Sequence, residues 1–210
     1  MATLSKLEEG IAALKADLMR PDGPRISTMR NYNFAILWYP PSRELELRKR
    51  IRTLVGELRT GGFDVLPIDL QELFHARIQA LGKETLDSTI AREQKLFAKS
   101  PERAVGYLRD HLARHVEGPD GIAADVIRLI DEHVERHRNR IDRTIVFIGR
   151  AGALYPFFRS SALLKHIDGR TRNLPTVLLY PGKRESQTAL RFMEELPSDR
   201  DYRPRIYPDA

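Results

Sequence analysis

Apolar residues recur along this chain at two different periods, and the alternation between them predicts its architecture. Leu4, Leu7, Ile11, Leu14 and Leu18 fall three and four apart, the signature of one helix face over residues 4–19. Pro21-Asp22-Gly23-Pro24 stops that helix. Phe34–Tyr39 is instead an unbroken apolar run ending at Pro40-Pro41, as expected of a strand covered on both faces. Ser42 is placed to cap a helix with a buried stripe of Leu47, Ile51, Leu54 and Leu58, closed by Gly61-Gly62. Phe63–Ile68 reads as a second strand. Asp69 with Glu72 three residues later reads as a capping box that opens the next helix.

From 69 to 140 the period is helical throughout. Leu73, Ile78 and Leu81 precede Gly82, and Leu86, Ile90 and Phe97 precede Ser100-Pro101, an N-cap followed by proline at the first helical position. Val105, Leu108, Leu112 and Val116 form a further stripe, and Val126, Ile130 and Val134 form the last. Strands resume at Thr144–Ile148, ending in Gly149-Arg-Ala-Gly152, and at Thr176–Tyr180, ending in Pro181-Gly182. Helices are predicted to follow each, one carrying Leu163, Leu164 and Ile167 and one over 186–196. Arg203–Tyr207 reads as an edge strand, because Pro204 lacks the amide a central ladder needs. Strand and helix in alternation predict an α/β fold: a mostly parallel sheet of about five strands with flanking helices, Rossmann-like but without a nucleotide fingerprint. The 210 residues form a single α/β domain in this reading, with 69–140 as a helical insertion lobe.

Composition narrows the function classes. Cysteine is absent, which excludes disulfides, thiol catalysis and thiolate metal sites. No apolar run approaches the roughly 18 residues of a membrane span and no secretory leader is evident, so a cytoplasmic protein without membrane contact is expected. The formal charge of +6 raises the question of nucleic acid. Arginine and acidic residues are interleaved, however, as in Asp131-Glu132-His133-Val134-Glu135-Arg136, whereas a nucleic-acid footprint concentrates its cations. Weak DNA binding is the expectation.

Ligands of open parallel sheets bind outside the carboxyl ends of the strands. Here those ends supply Tyr39, Arg150, Tyr155, Phe157, Phe158, Arg159, Lys183 and Arg184, which are the candidates for binding a partner or an anion. Arginine forks suit carboxylate and phosphate, and clustered aromatics with arginine suit a protein interface. The aromatics could equally staple a helix to the sheet. Gly182-Lys183 is not a Walker loop, since Arg184 stands where Ser or Thr would hold magnesium. No nucleophile elbow is present, and Ser160-Ser161 has only His166 and Asp168 nearby, so no catalytic constellation and no cofactor are expected. His111 and His115, like His133 and His137, lie four apart and share a helix face. With Arg109, Arg114, Arg136 and Arg138 beside them, both pairs read as solvated faces and no metal is assigned.

Several of these segments carry a family likeness. Tyr39-Pro40-Pro41 with its amphipathic helix, Tyr155-Pro156-Phe157-x-Arg159 with Leu163-Leu164, Leu179-Tyr180-Pro181-Gly182, and the tail from Phe192 through Asp201-Tyr202-Arg203-Pro204-Arg205-Ile206-Tyr207 resemble the BrxB family of BREX phage-defence systems. Lys183-Arg184-Glu185-Ser186 depart from the aromatic and glycine that often follow the Pro-Gly in that family. The resemblance implies a non-catalytic accessory component of bacterial antiviral defence. Its partners would be other BREX components: a large ATPase, a DNA methyltransferase and, favoured here, the phosphatase-superfamily protein PglZ. Two further classes stay open, a phosphate- or nucleotide-binding α/β protein and a direct nucleic-acid binder.

Overall fold

The computed structural model describes residues 5–27, 32–197 and 203–208; Leu4, Asp201 and Tyr202 lie outside them. The chain runs α1 (Lys6–Leu18), β1 (Phe34–Tyr39), α2 (Glu44–Thr60), β2 (Asp64–Asp69), α3 (Leu70–Ala80), α4 (Lys83–Phe97), α5 (Pro101–Val116) and α6 (Ile122–Arg136). It continues through β3 (Thr144–Gly149), α7 (Ser160–Ile167), β4 (Thr176–Arg184), β5 (Leu190–Phe192) and β6 (Arg205–Tyr207). Five strands form a parallel sheet in the order β2-β3-β4-β1-β6, and β5 pairs antiparallel with the far end of β4. The fold is α/β with a mostly parallel, six-stranded sheet.

Alternate residues of each central strand enter two separate cores. Phe34 and Ile36, Val146 and Ile148, and Leu178 and Tyr180 pack into one, with α6, α7 and the start of α3. Ala35, Leu37 and Tyr39, Ile145 and Phe147, and Val177 and Leu179 pack into the other, against α1 and α2. The division follows from connection handedness. The chain leaves β1 for the edge strand β2 through α2, then returns through β3 to β4 by way of α3–α7. Right-handed crossovers running in opposite directions must lie on opposite faces. Proline marks both sheet edges: Pro67 is exposed on β2, and Pro204 directly precedes β6.

Two local expectations are corrected. Ser42 does not cap α2; it sits in a 3₁₀ turn over Pro41–Arg43, and α2 starts at Glu44 without a side-chain cap. The helix predicted over 186–196 is not formed. β4 continues past its parallel partners to Arg184 and returns as β5, where Leu190 and Phe192 are buried and Arg191 is exposed. Phe192 meets Tyr180 edge-on at 5.5 Å, and left-handed backbone at Met193 and Glu194 prevents helix from continuing. Asp69 caps α3 by accepting from the amides of Gln71 and Glu72, without the return bond from Glu72 that a capping box would add, and Ser100 caps α5 ahead of Pro101 as read.

Arg77 ties the helical region together. Its guanidinium pairs with Asp125 of α6 and donates to the carbonyls of His115 at 3.1 Å and Gly121 at 2.6 Å. α4 is held mainly through α5, by Thr89 to His111 at 3.1 Å and by Arg92 over the Tyr107 ring. Most of its own apolar stripe faces out: Ile90 is 52% exposed and Phe97 56%, with Val105 of α5 at 44%.

Two glycines give opposite predictions. A Cβ on Gly182 would stand 2.1 Å from the Arg191 carbonyl, so Gly182→Ala is expected to cost about 1–3 kcal/mol by forcing the β4–β5 hairpin apart. Gly56, exposed within α2 and with open space around it, should gain about 0.5–1 kcal/mol as Ala. Urea unfolding of the two variants checks both signs.

Candidate functional site

The carboxyl edge of the sheet is where the candidate residues collect. β1 ends at Tyr39 opposite Pro181 of β4, and β3 ends at Gly149 opposite Asp69 of β2. Tyr39 is fully buried and its hydroxyl donates to Glu44. Burial first, then the Glu44 carboxylate, pushes the Tyr39 hydroxyl far above its ordinary value of 10.0; the nearby Arg150 charge opposes the rise. Arg150 adopts the left-handed conformation that turns the chain out of β3, with φ 66°. Its guanidinium donates to Gln71, and its Nε stands 4.0 Å from Asp69. The structure therefore brings Tyr39 and Arg150 together, each already engaged by neighbours of its own.

The remaining candidates divide by exposure. Phe158 is 1% exposed and belongs to the core, so it staples the turn to the sheet. Phe157 stacks on Phe74 of α3 with ring centroids 6.2 Å apart, and Tyr155, half-buried, precedes a cis proline. Arg184 binds carbonyls of Ser186, Gln187, Ile206 and Pro208, which ties β6 to the β4–β5 hairpin. Arg159 and Lys183 are exposed cations.

The turn that follows β3 packs against the end of β4 and the turn after β5. It is a 3₁₀ turn over Ala151–Leu154, and a Cβ on Gly152 would meet Met193 and Pro181 at 3.1 Å. Glu44 and Gln71 are polar partners that sequence patterns do not single out, and Asp69 is marked there only as a helix cap. Among the described residues, no helix is long and apolar enough to cross a membrane.

The two histidine pairs share a spacing and differ in surroundings. On α5, the His111 ring nitrogens meet Thr89 and Arg114, each at 3.1 Å. Burial first, then Arg114, lowers the His111 and His115 pKa values. His133 of α6 is not on a solvated face, contrary to the sequence reading. It is 8% exposed, with Nε2 2.8 Å from Asp64 at the start of β2. Asp64 is 69 residues away, and its one signal in the sequence is a carboxylate opening an otherwise apolar strand.

Comparison with known proteins gives one match. The family model described as BREX protein BrxB fits residues 66–206, from within β2 to within β6. The chain belongs to the BrxB family. No curated protein and no solved structure matches it. The BrxB match includes the whole helical region and every candidate from Arg150 to Arg184, and leaves Tyr39-Pro40-Pro41 outside. Membership makes the protein a component of a BREX antiviral defence system, with other BREX components as its partners.

Two outcomes are expected at the strand ends. Phe158→Ala should destabilise by about 3–5 kcal/mol, as a buried core ring does, whereas Lys183→Ala should stay within about 0.5 kcal/mol. Tyr39→Phe removes a hydrogen bond to a carboxylate and should cost about 1–2 kcal/mol at pH 8. The folded state holds the Tyr39 proton more tightly than the unfolded chain does. Its contribution is therefore complete below 10.0 and is lost as pH rises beyond that value, so the gap between wild type and Tyr39→Phe should narrow at pH 10.5 in urea melts.

Proposed function

We propose that this BrxB protein is a non-catalytic adaptor of its BREX system, docking a partner component through the outward face of α4 and the tip of the α4–α5 hairpin. The PglZ-type phosphatase-superfamily protein is the favoured partner. One observation carries the reading: Ile90 and Phe97, seven residues apart on α4, leave an apolar helical stripe in water. Such a stripe is a normal core-facing pattern, and exposed on a monomer it marks a surface awaiting a partner. The strand ends support the same reading from the other side. Tyr39, Arg150 and Arg184 hold the chain's own groups, and the turn after β3 packs against Pro181 and Met193. Arg159 and Lys183 stay exposed and are assigned to the rim of any acidic surface brought against that edge.

The test is co-purification of the full chain with PglZ, the ATPase and the methyltransferase of the same locus, one at a time. Ile90→Asp and Phe97→Asp should each abolish retention of PglZ while leaving the melting temperature unchanged, since both side chains already face solvent. Retention by these variants, with loss on Lys183→Ala or Arg159→Ala, would move the docking face to the strand ends. Retention of neither PglZ nor another component would refute the adaptor role. Duplex DNA should bind weakly, and a fourfold rise in salt should reduce that binding by about one to two orders of magnitude.

A further inference from the structure

We infer that Asp64, His133 and His137 form a divalent-cation site of the zinc class, clamping the last turn of α6 to the edge strand β2. Each offers one ligand atom, and these atoms lie within 4.8 Å of one another. Two histidines four apart on a helix present both rings on one face, and a carboxylate from a second element completes a His₂Asp set of ordinary zinc ligands. The site lies at the amino end of β2, away from the docking and strand-end surfaces described above.

The tautomers suit the role. His137 Nδ1 lies 3.0 Å from the His133 carbonyl, which only accepts, so Nδ1 carries the proton and donates it there. Nε2 of His137 is thereby left with its lone pair free. This second hydrogen bond from a ligating histidine to a carbonyl is the usual means of orienting such a ring. His133 Nε2 donates to Asp64 Oδ2 at 2.8 Å, so a proton occupies the position between them that an ion would take. Ligand atoms at bonds of about 2.0–2.1 Å to one tetrahedral zinc stand roughly 3.3–3.4 Å apart, so accepting an ion requires the His133–Asp64 pair to open by about half an ångström and His137 to complete the set from within 4.8 Å. Coordination through Nε2 requires His133 to carry its ring proton on Nδ1, and it leaves at least one coordination position for water.

The helix dipole favours a cation at this end of α6, against the charges of Arg59, Arg140 and Arg143, which donate to the carbonyls of Val65, Gly62 and Gly61 beside Asp64. His133 lies in the last turn and His137 caps it, at the end where the helix dipole is negative. Two neighbouring arginines are turned to carboxylates, Arg136 toward Glu132 and Arg138 onto Glu135. The α5 pair is the internal control. His111 and His115 have the same spacing, but Thr89 and Arg114 engage the His111 ring and no carboxylate joins them within that distance among the described residues.

Isothermal titration of the full chain with zinc chloride, after chelator treatment, tests the site. Wild type should bind one zinc ion in the micromolar range or tighter, with a rise in melting temperature. His137 is only partly buried and can be removed without emptying the core, so His137→Ala should melt like the metal-free wild type yet bind zinc at least about tenfold more weakly. His115→Ala should bind like wild type. No saturable binding below about 100 µM, an unchanged affinity in His137→Ala, or a loss that instead follows His115→Ala would each overturn the site.

Discussion

The structure depends on two parallel strands, β1 and β4, that are buried on both faces along their shared length. Phe34–Tyr39 pairs in register with Thr176–Pro181, and side chains leave alternately for two cores. A strand pair covered on both sides demands helices on both sides, and crossover handedness then decides which helix goes where. α1 and α2 are confined to one face, and the long excursion between β2 and β3 must close the other. α6 does so with a stripe that includes Val126, Ile130 and Val134. The rest of the excursion is built outward from there, with Arg77 as the node between α3, the end of α5 and the start of α6. α4, the helix held least by the body, keeps Ile90 and Phe97 in water.

The carboxyl edge of the sheet is shaped by the extension of β4. β4 outruns its parallel partners and folds back as β5, which requires Gly182 and places Met193 and Pro181 against the turn that follows β3. Arginines at this edge are engaged by the chain itself: Arg150 donates to Gln71 and lies 4.0 Å from Asp69, and Arg184 donates to carbonyls of the hairpin and of the β6 end. Burial keeps Tyr39 protonated beside Glu44.

Much of the fold was legible in the sequence because its signals are local and agree with one another. The run Phe34–Tyr39, the cap at Asp69 and the Ser100-Pro101 start each state one conformation, and each is adopted. The segment 186–196 was misread because Leu190, Phe192, Met193 and Leu196 satisfy a helical period almost as well as alternation. The choice between them is made by Tyr180 and Gly182, which are close in space but not in the pattern. Sites were less legible than elements. Periodicity shows that α4 has an apolar stripe but not that the stripe remains uncovered, and spacing shows two histidine pairs but not that Asp64 joins one of them. Both facts are set by long-range packing, which a single sequence does not encode locally.

Hydrogen exchange of the protein alone and in complex with PglZ tests the docking face most directly. Amides over 83–116, covering α4 and α5, are expected to gain protection in the complex, while 149–159 and 180–184 exchange as they do in the free chain. Protection confined to the strand ends, with α4 and α5 unchanged, would contradict the claim that the outward helical face makes the contact.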